Sequence, residues 1–177
     1  GEEVSRTRLT YIDYALWERQ VLTEDLRLRL IDYWLENLEG AKRATLPWRR
    51  SEGEARIRTN RGDSKAILIE QEVMEAFREV CQRENATLFM GLVAAMSLVL
   101  HRYTGESDII IGTPISTRDR PETENIVGLF INLLPLRVRL DLDSTFQGLI
   151  EHTKEVALGA YAHRQVAFQD IVSALKQ

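Results

Sequence analysis

The residues able to move a proton or attack a carbonyl are few in this chain: His101, His152, His163, the single Cys81 and scattered carboxylates. No pair of them is spaced as a catalytic set. His163 has neither a nucleophile nor an orienting acid beside it, so it reads as a polar residue at a helix end rather than a general base. Asp13, next to Tyr14 and Trp17, reads as a helix-start contact or a contact between lobes in preference to a catalytic acid. Cys81 shares a helical face with Phe77 and Val80, which suits a small buried hydrophobe better than a reactive thiol. One cysteine forms no internal disulfide, and no Cys/His set has metal-ligand spacing. Neither a phosphate-cradling GxxxxGK[ST] run nor a zinc-binding HExxH occurs.

Binding chemistry is better represented. Gly112-Thr113-Pro114 ends an apolar run and is followed by Ser116 and Arg118, so a small residue and polar groups meet where a ligand could approach the backbone. The competing reading is that Gly112 and Pro114 only shape a strand exit. Asn132 lies in an apolar stretch and must satisfy its amide; a structural hydrogen bond to backbone is favoured over a direct substrate contact.

The elements that must position these residues follow from periodicity. Tyr11 to Leu38 carries apolar residues at helical spacing, as two helices or one bent helix broken near Leu22, with Thr23 as a cap and Gly40 as the stop. Ala41 to Arg61, with Pro47, Gly53 and many charges, reads as an irregular linker, and its basic clusters Lys42/Arg43/Arg49/Arg50 and Arg56/Arg58/Arg61 as solvated. Lys65 to Glu70 is a short strand candidate, followed by a helix over about Glu72 to Glu84 that Asn85 ends. Thr87 caps a helix over Leu88 to Tyr103 that is apolar nearly all round and is expected to be buried on more than one side. Asp108 to Gly112 is a β-branched run expected to be covered on both faces. Ile126 to Leu140 is extended, with Leu136, Val138 and Leu140 on one face and Arg137 and Arg139 on a solvated one. Ser144 is expected to cap an amphipathic helix through Tyr161, and a short helix spans Phe168 to Leu175.

The whole is an α/β lobe, a mixed sheet flanked by helices with too few strands to be complete. Its 177 residues, 44% hydrophobic, suffice for one substantial core. A net charge of −4 argues against a nucleic-acid binder. The apolar runs are too short to span a bilayer and Gly1-Glu2-Glu3 does not open like a signal peptide, so no membrane role and a cytoplasmic location are expected.

Five segments, taken in order, resemble the condensation domains of nonribosomal peptide synthetases. Tyr11-Ile12-Asp13-Tyr14-Ala15-Leu16-Trp17 is similar to their YxDYAxW element. Thr87 to Ala95 resembles their long buried helix, and Arg102 to Ile109 with Gly112 to Arg118 the following turn and strand. Val127-Gly128-Leu129-Phe130-Ile131-Asn132 is similar to IGxFVN, and Ala160 to Phe168, including His163, to AYxHQxxPF. Ala167 replaces the family's proline, and Leu133 stands where Thr is common. The family's HHxxxDG motif is absent from this sequence.

That resemblance implies a chloramphenicol-acetyltransferase-like lobe: residues 1–40 as a helical segment from the interlobe region, 41–61 as a linker, and 62–177 as the C-terminal lobe, truncated at its end. It implies peptide-bond formation between carrier-bound thioesters, with no catalytic residue in this chain and no activity from it alone. Gly112, Thr113, Ser116, Arg118 and Asn132 are then candidates for lining the substrate tunnel; Tyr11, Asp13, Tyr14, Trp17, Gly128, Phe130, His163 and Phe168 mark structural motifs. No cofactor is expected to bind directly, phosphopantetheine being carried by peptidyl carrier domains. Further implied partners are the N-terminal lobe of the same domain and an adjacent adenylation domain, and apolar surface is expected to favour self-association. Epimerisation, heterocyclisation, or a non-catalytic module docking carrier proteins or oxygenases are the alternatives.

Overall fold

A computed structural model describes residues 9–42, 46 and 62–176. The linker 41–61 and its basic clusters therefore lie almost wholly outside the described residues. The elements run α1 (Tyr11–Val21), α2 (Glu24–Leu38), α3 (Gln71–Arg83), α4 (Leu88–Thr104), β1 (Asp108–Ser116), a 3-10 turn (Pro121–Thr123), β2 (Ile131–Arg139), α5 (Phe146–Ala162) and α6 (Phe168–Ala174).

Local chemistry sets most of these boundaries. The break between α1 and α2 falls at Leu22-Thr23, where the Thr23 hydroxyl accepts from the Leu26 N–H at 3.3 Å. Gly40 beyond α2 (φ +65°), Asn85 beyond α3 (φ 52°) and Gly105 beyond α4 (φ +75°) occupy the left-handed region that ends helices. Thr87 caps α4 by accepting from the Met90 N–H at 3.3 Å. At α5 the cap is Thr145 rather than Ser144: its hydroxyl accepts from the Gly148 N–H at 3.2 Å. Among the described residues no single helix is long and apolar enough to cross a membrane.

β1 and β2 form a two-stranded sheet. Thr117 N–H donates to the Phe130 carbonyl at 2.9 Å beyond one end and Leu140 N–H to the Ser107 carbonyl at 2.7 Å beyond the other, which makes the pair antiparallel. Four further expectations need correction. Lys65–Glu70 forms no strand, and Ile67 and Leu68 are 87% and 96% exposed, because no neighbouring strand takes up their backbone groups among the described residues. β1 is covered on one face only: Ile109 and Thr113 are buried, whereas Gly112, Pro114 and Ser116 are exposed. α4 buries Met90, Gly91, Val93, Ala94 and Ser97 but exposes Phe89, Leu92, Met96, Leu98 and Val99, so one side alone is packed. Arg137, placed on a solvated face by strand alternation, is buried. Its guanidinium donates to the Asn37 and Glu39 carbonyls at 2.8 and 2.6 Å and so satisfies the C-terminal end of α2.

The chain divides into two compact units. The first takes the described parts of Gly1–Ala41, Gly112–Arg137 and Leu158–Gln177. There α2 packs on α6, and Leu30, Trp34, Leu134, Leu136, Val166 and Ile171 are buried. The second takes those of Lys42–Ile111 and Val138–Ala157. There α3 packs on α4 at Gly91, where a Cβ would lie 2.3 Å from Cys81 Sγ. Cys81 is buried as expected, and burial pushes its thiol pKa up, away from reactivity.

Candidate functional site

Within the first unit, segments more than a hundred residues apart in sequence build one aromatic and arginine cluster. α1 begins with a capping box: Asp13 carboxylate oxygen accepts from Thr10 N–H at 2.8 Å and from its hydroxyl at 2.7 Å. Hydrogen bonds from Thr10, the backbone one foremost, hold the Asp13 carboxyl below its ordinary pKa. Asp13 is thus a helix-start residue, the role the sequence favours for it.

That start orients Tyr11, Tyr14 and Trp17. The Tyr11 hydroxyl donates to the Leu129 carbonyl at 3.0 Å, and its ring meets Phe130 edge-on with centroids 5.4 Å apart. Gly128 lies directly under that ring: a Cβ there would approach Tyr11 Cδ2 to 2.1 Å, which only glycine avoids. Tyr14 packs on Phe130 at 4.6 Å, and its hydroxyl donates to Glu18 at 2.9 Å. Burial first, and Glu18 second, push the Tyr14 pKa up to about 12, so this phenol stays protonated at neutral pH.

Arginines complete the cluster. Arg118 lies 4.0 Å from the Phe130 centroid and donates to the Ile126 carbonyl at 2.9 Å and to the Thr123 carbonyl, tying down the loop between β1 and β2. Arg120 stacks over Trp17 at 4.4 Å. Arg164 pairs with Asp119 at 2.9 Å. A shallow hollow lies among Tyr14, Trp17, Arg120, Thr123, Arg164 and Gln165.

Asn132 is a clamp. Its amide nitrogen donates to the Arg164 and Val166 carbonyls, both at 2.8 Å, and its oxygen accepts from Leu133 N–H at 2.9 Å and Phe168 N–H at 3.2 Å. Both donors and both acceptor sites of the amide are spent on backbone, the structural role weighed above against substrate contact. His163 is similarly occupied: its ring stacks on Tyr33 at 3.6 Å, Nδ1 meets the Gly159 carbonyl at 2.8 Å, and its own carbonyl accepts from the Trp34 indole at 3.0 Å.

The tunnel candidates therefore separate. Thr113 is buried, and Arg118 and Asn132 are engaged with carbonyls and amides of the loop and of the α5–α6 connection. Gly112 and Ser116 are exposed on one face of β1. The nearest atoms to a Cβ on Gly112 would be those of Leu133, no closer than 3.7 Å. Ser116 Oγ accepts a local bond from Arg118 N–H at 3.2 Å. Sequence reasoning missed Arg120 on Trp17, the Asp119–Arg164 pair and the Arg137 cap. Each joins residues far apart in the chain, and nothing local to either partner announces it.

Comparison with known proteins agrees with this architecture. The Condensation domain family model matches residues 1–177. A linear gramicidin synthase of Brevibacillus parabrevis is 38% identical over 95% of this chain. PF 1022-synthetase of Rosellinia sp. is 34% identical over 97% of it. The X-domain from teicoplanin biosynthesis superposes with a TM-score of 0.86 at 26% identity over 98% of this chain. The chain spans 3% and 5% of those two synthetases and 40% of the X-domain chain.

An α/β lobe whose aromatic, glycine and asparagine motifs interlock in this way is part of a chloramphenicol-acetyltransferase-like domain. The chain belongs to the condensation-domain family of nonribosomal peptide synthetases.

Proposed function

We propose that this chain is part of a condensation domain that joins carrier-bound aminoacyl or peptidyl thioesters, and that it supplies tunnel wall and docking surface rather than proton-transfer groups. In that reaction the acceptor amine nitrogen bonds to the donor thioester carbonyl carbon. The carbon–sulfur bond breaks, and the donor thiol leaves with the proton the amine gives up. Holding both thioesters in one channel replaces a bimolecular encounter with an oriented one. The pantetheine arms arrive on peptidyl carrier domains of a synthetase that also holds an adenylation domain, in the cytoplasm.

The observation that carries this reading is the exposed face of β1. Gly112 leaves open backbone on the face of β1 that it shares with Pro114 and Ser116, and its missing side chain is not required by packing, since the nearest atoms to a Cβ there, those of Leu133, lie at ordinary contact distance. An extended arm can lie along such backbone. The test uses the complete condensation domain. Gly112→Ala is expected to fold normally, and Gly112→Phe to lower dipeptidyl-carrier formation by at least about tenfold, a barrier rise of about 1.4 kcal/mol, with a near-unchanged Tm. Parallel loss of activity and Tm would show that Gly112 only shapes the strand.

One observation favours a second reading, a non-catalytic docking module: the X-domain of teicoplanin biosynthesis is also solved as a complex with OxyB, at TM-score 0.88 and 26% identity to this chain. A complete domain that forms no dipeptidyl carrier from any loaded pair, yet binds carrier domains, would establish it.

A further inference from the structure

The first unit holds a second and larger hollow, of about 260 Å³, whose lining includes Leu9, Asp13, Trp17, Arg120, Glu122 and Ile126. Its apolar part comes from Leu9, the Trp17 ring and the buried Ile126. Its charges come from two segments. Arg120 and Glu122 flank Pro121, whose fixed backbone angle opens the 3-10 turn, and Asp13 stands in the first turn of α1. Each of the three keeps unused capacity. The Arg120 guanidinium rests on the Trp17 ring, and neither it nor the Glu122 carboxylate has a hydrogen-bond or ion-pair partner among the described residues. Both bonds from Thr10 to the Asp13 carboxylate land on Oδ2, which leaves Oδ1 able to accept. The neighbouring charges, by contrast, are paired: Arg164 with Asp119, Glu18 with the Tyr14 hydroxyl, and Arg118 with loop carbonyls.

We propose that this hollow binds a free apolar α-amino acid as its zwitterion, the carboxylate on Arg120, the ammonium on Asp13 and Glu122, and the side chain against Leu9, Trp17 and Ile126. A bare carboxylate would meet two acids, and a bare amine would leave the Arg120 fork unmet, so a ligand of one charge sign satisfies only part of the site. The volume falls just below the usual range of about 300–1,000 Å³ for small-molecule sites, which suits a single amino acid rather than a peptide. Carrier-bound thioesters of the proposed reaction have no free carboxylate for Arg120 to hold, so the ligand is an uncoupled amino acid. Once bound, it ties the loop between β1 and β2 to α1.

Calorimetric titration of the complete condensation domain, with no carrier domain present, tests this with three ligands of one shape: L-leucine, L-leucinamide, which lacks the carboxylate, and isocaproate, which lacks the ammonium. L-Leucine is expected to bind at least about tenfold more tightly than either of the others. Arg120→Gln should weaken L-leucine at least about tenfold and leave L-leucinamide unchanged, and Glu122→Gln should weaken L-leucine and spare isocaproate. Both side chains are exposed and hold no backbone, so the variants keep the fold. No saturation by L-leucine up to about 10 mM would overturn the proposal, as would an affinity that neither variant changes. L-Leucinamide binding as tightly as L-leucine would also overturn it, in favour of a simple amine. Titration does not require turnover, so the site can fail in a domain that condenses and hold in one that does not.

Discussion

The two units spend their side chains differently. In the first, polar motif residues hold backbone: Asn132 grips the α5–α6 connection, Arg118 the loop before β2, Arg137 the end of α2 and His163 the last turn of α5. In the second, α3 and α4 meet through small and apolar residues, with Gly91 admitting Cys81 and Phe77. The difference explains why the polar residues most prominent in the sequence are poor candidates for chemistry. Their hydrogen-bonding capacity is already used, so whatever acts on a ligand must be sought where nothing is being held, as at the open backbone of Gly112.

The largest effect that would test this contrast is at Asn132. Asn132→Ala removes two donors and two acceptors at once and strands carbonyls and amides of a part-buried turn, so a loss of about 2–4 kcal/mol is expected in denaturant unfolding of the complete domain. Asn132→Ala with stability intact but condensation abolished would move Asn132 from scaffold to substrate contact and break the contrast.

Gly91 tests the second unit on its own terms. Gly91→Ala places a methyl 2.3 Å from Cys81 Sγ and 3.0 Å from Phe77 Cζ. Overpacking of this kind costs about 1–3 kcal/mol. Adding Cys81→Ala removes the closer obstacle and should restore much of the loss, a coupling that a thermal-melt double-mutant cycle measures directly. Additive losses would mean that the α3–α4 contact is not what limits Gly91.

How far the sequence could be read follows the range of the interactions. Caps and stops were legible because they act within a turn: Thr23, Thr87, Gly40 and Asn85 each sit where their side chain or backbone freedom is needed. The strand at β2 was legible, but its continuous burial from Leu134 to Val138, against the expected alternation, was not; Arg137 is buried because its partners are carbonyls about a hundred residues earlier, at Asn37 and Glu39. Lys65–Glu70 has strand composition without a strand, since composition supplies propensity and only a neighbour supplies hydrogen bonds. The clamp at Asn132 lay between: an amide in an apolar stretch must be satisfied, which the sequence states, and the partners at Arg164, Val166 and Phe168 come only from the fold.

The smallest effect sharpens the contrast at the edge of the aromatic cluster. Asp13 accepts two hydrogen bonds from Thr10, and they favour its ionised form, so its folded-state pKa lies below the ordinary carboxylate value. A carboxyl depressed in this way contributes stability above its unfolded pKa and loses that contribution as pH falls through the folded one. Acidification from neutral toward pH values below about 4 should therefore fray α1 before the rest of the first unit, while Asp13→Asn should remove that part of the pH dependence. Because α1 carries Tyr11, Tyr14 and Trp17 onto Phe130 and Arg120, the fraying is readable as a change in tryptophan fluorescence, with Trp34 buried elsewhere as a steady background. Substituting Trp17→Phe should silence the signal. A fluorescence transition that persists unchanged in Asp13→Asn would place the titrating group outside the capping box, and α1 would then owe its position to the ring contacts on Phe130, the Arg120–Trp17 contact and the Tyr11–Leu129 hydrogen bond.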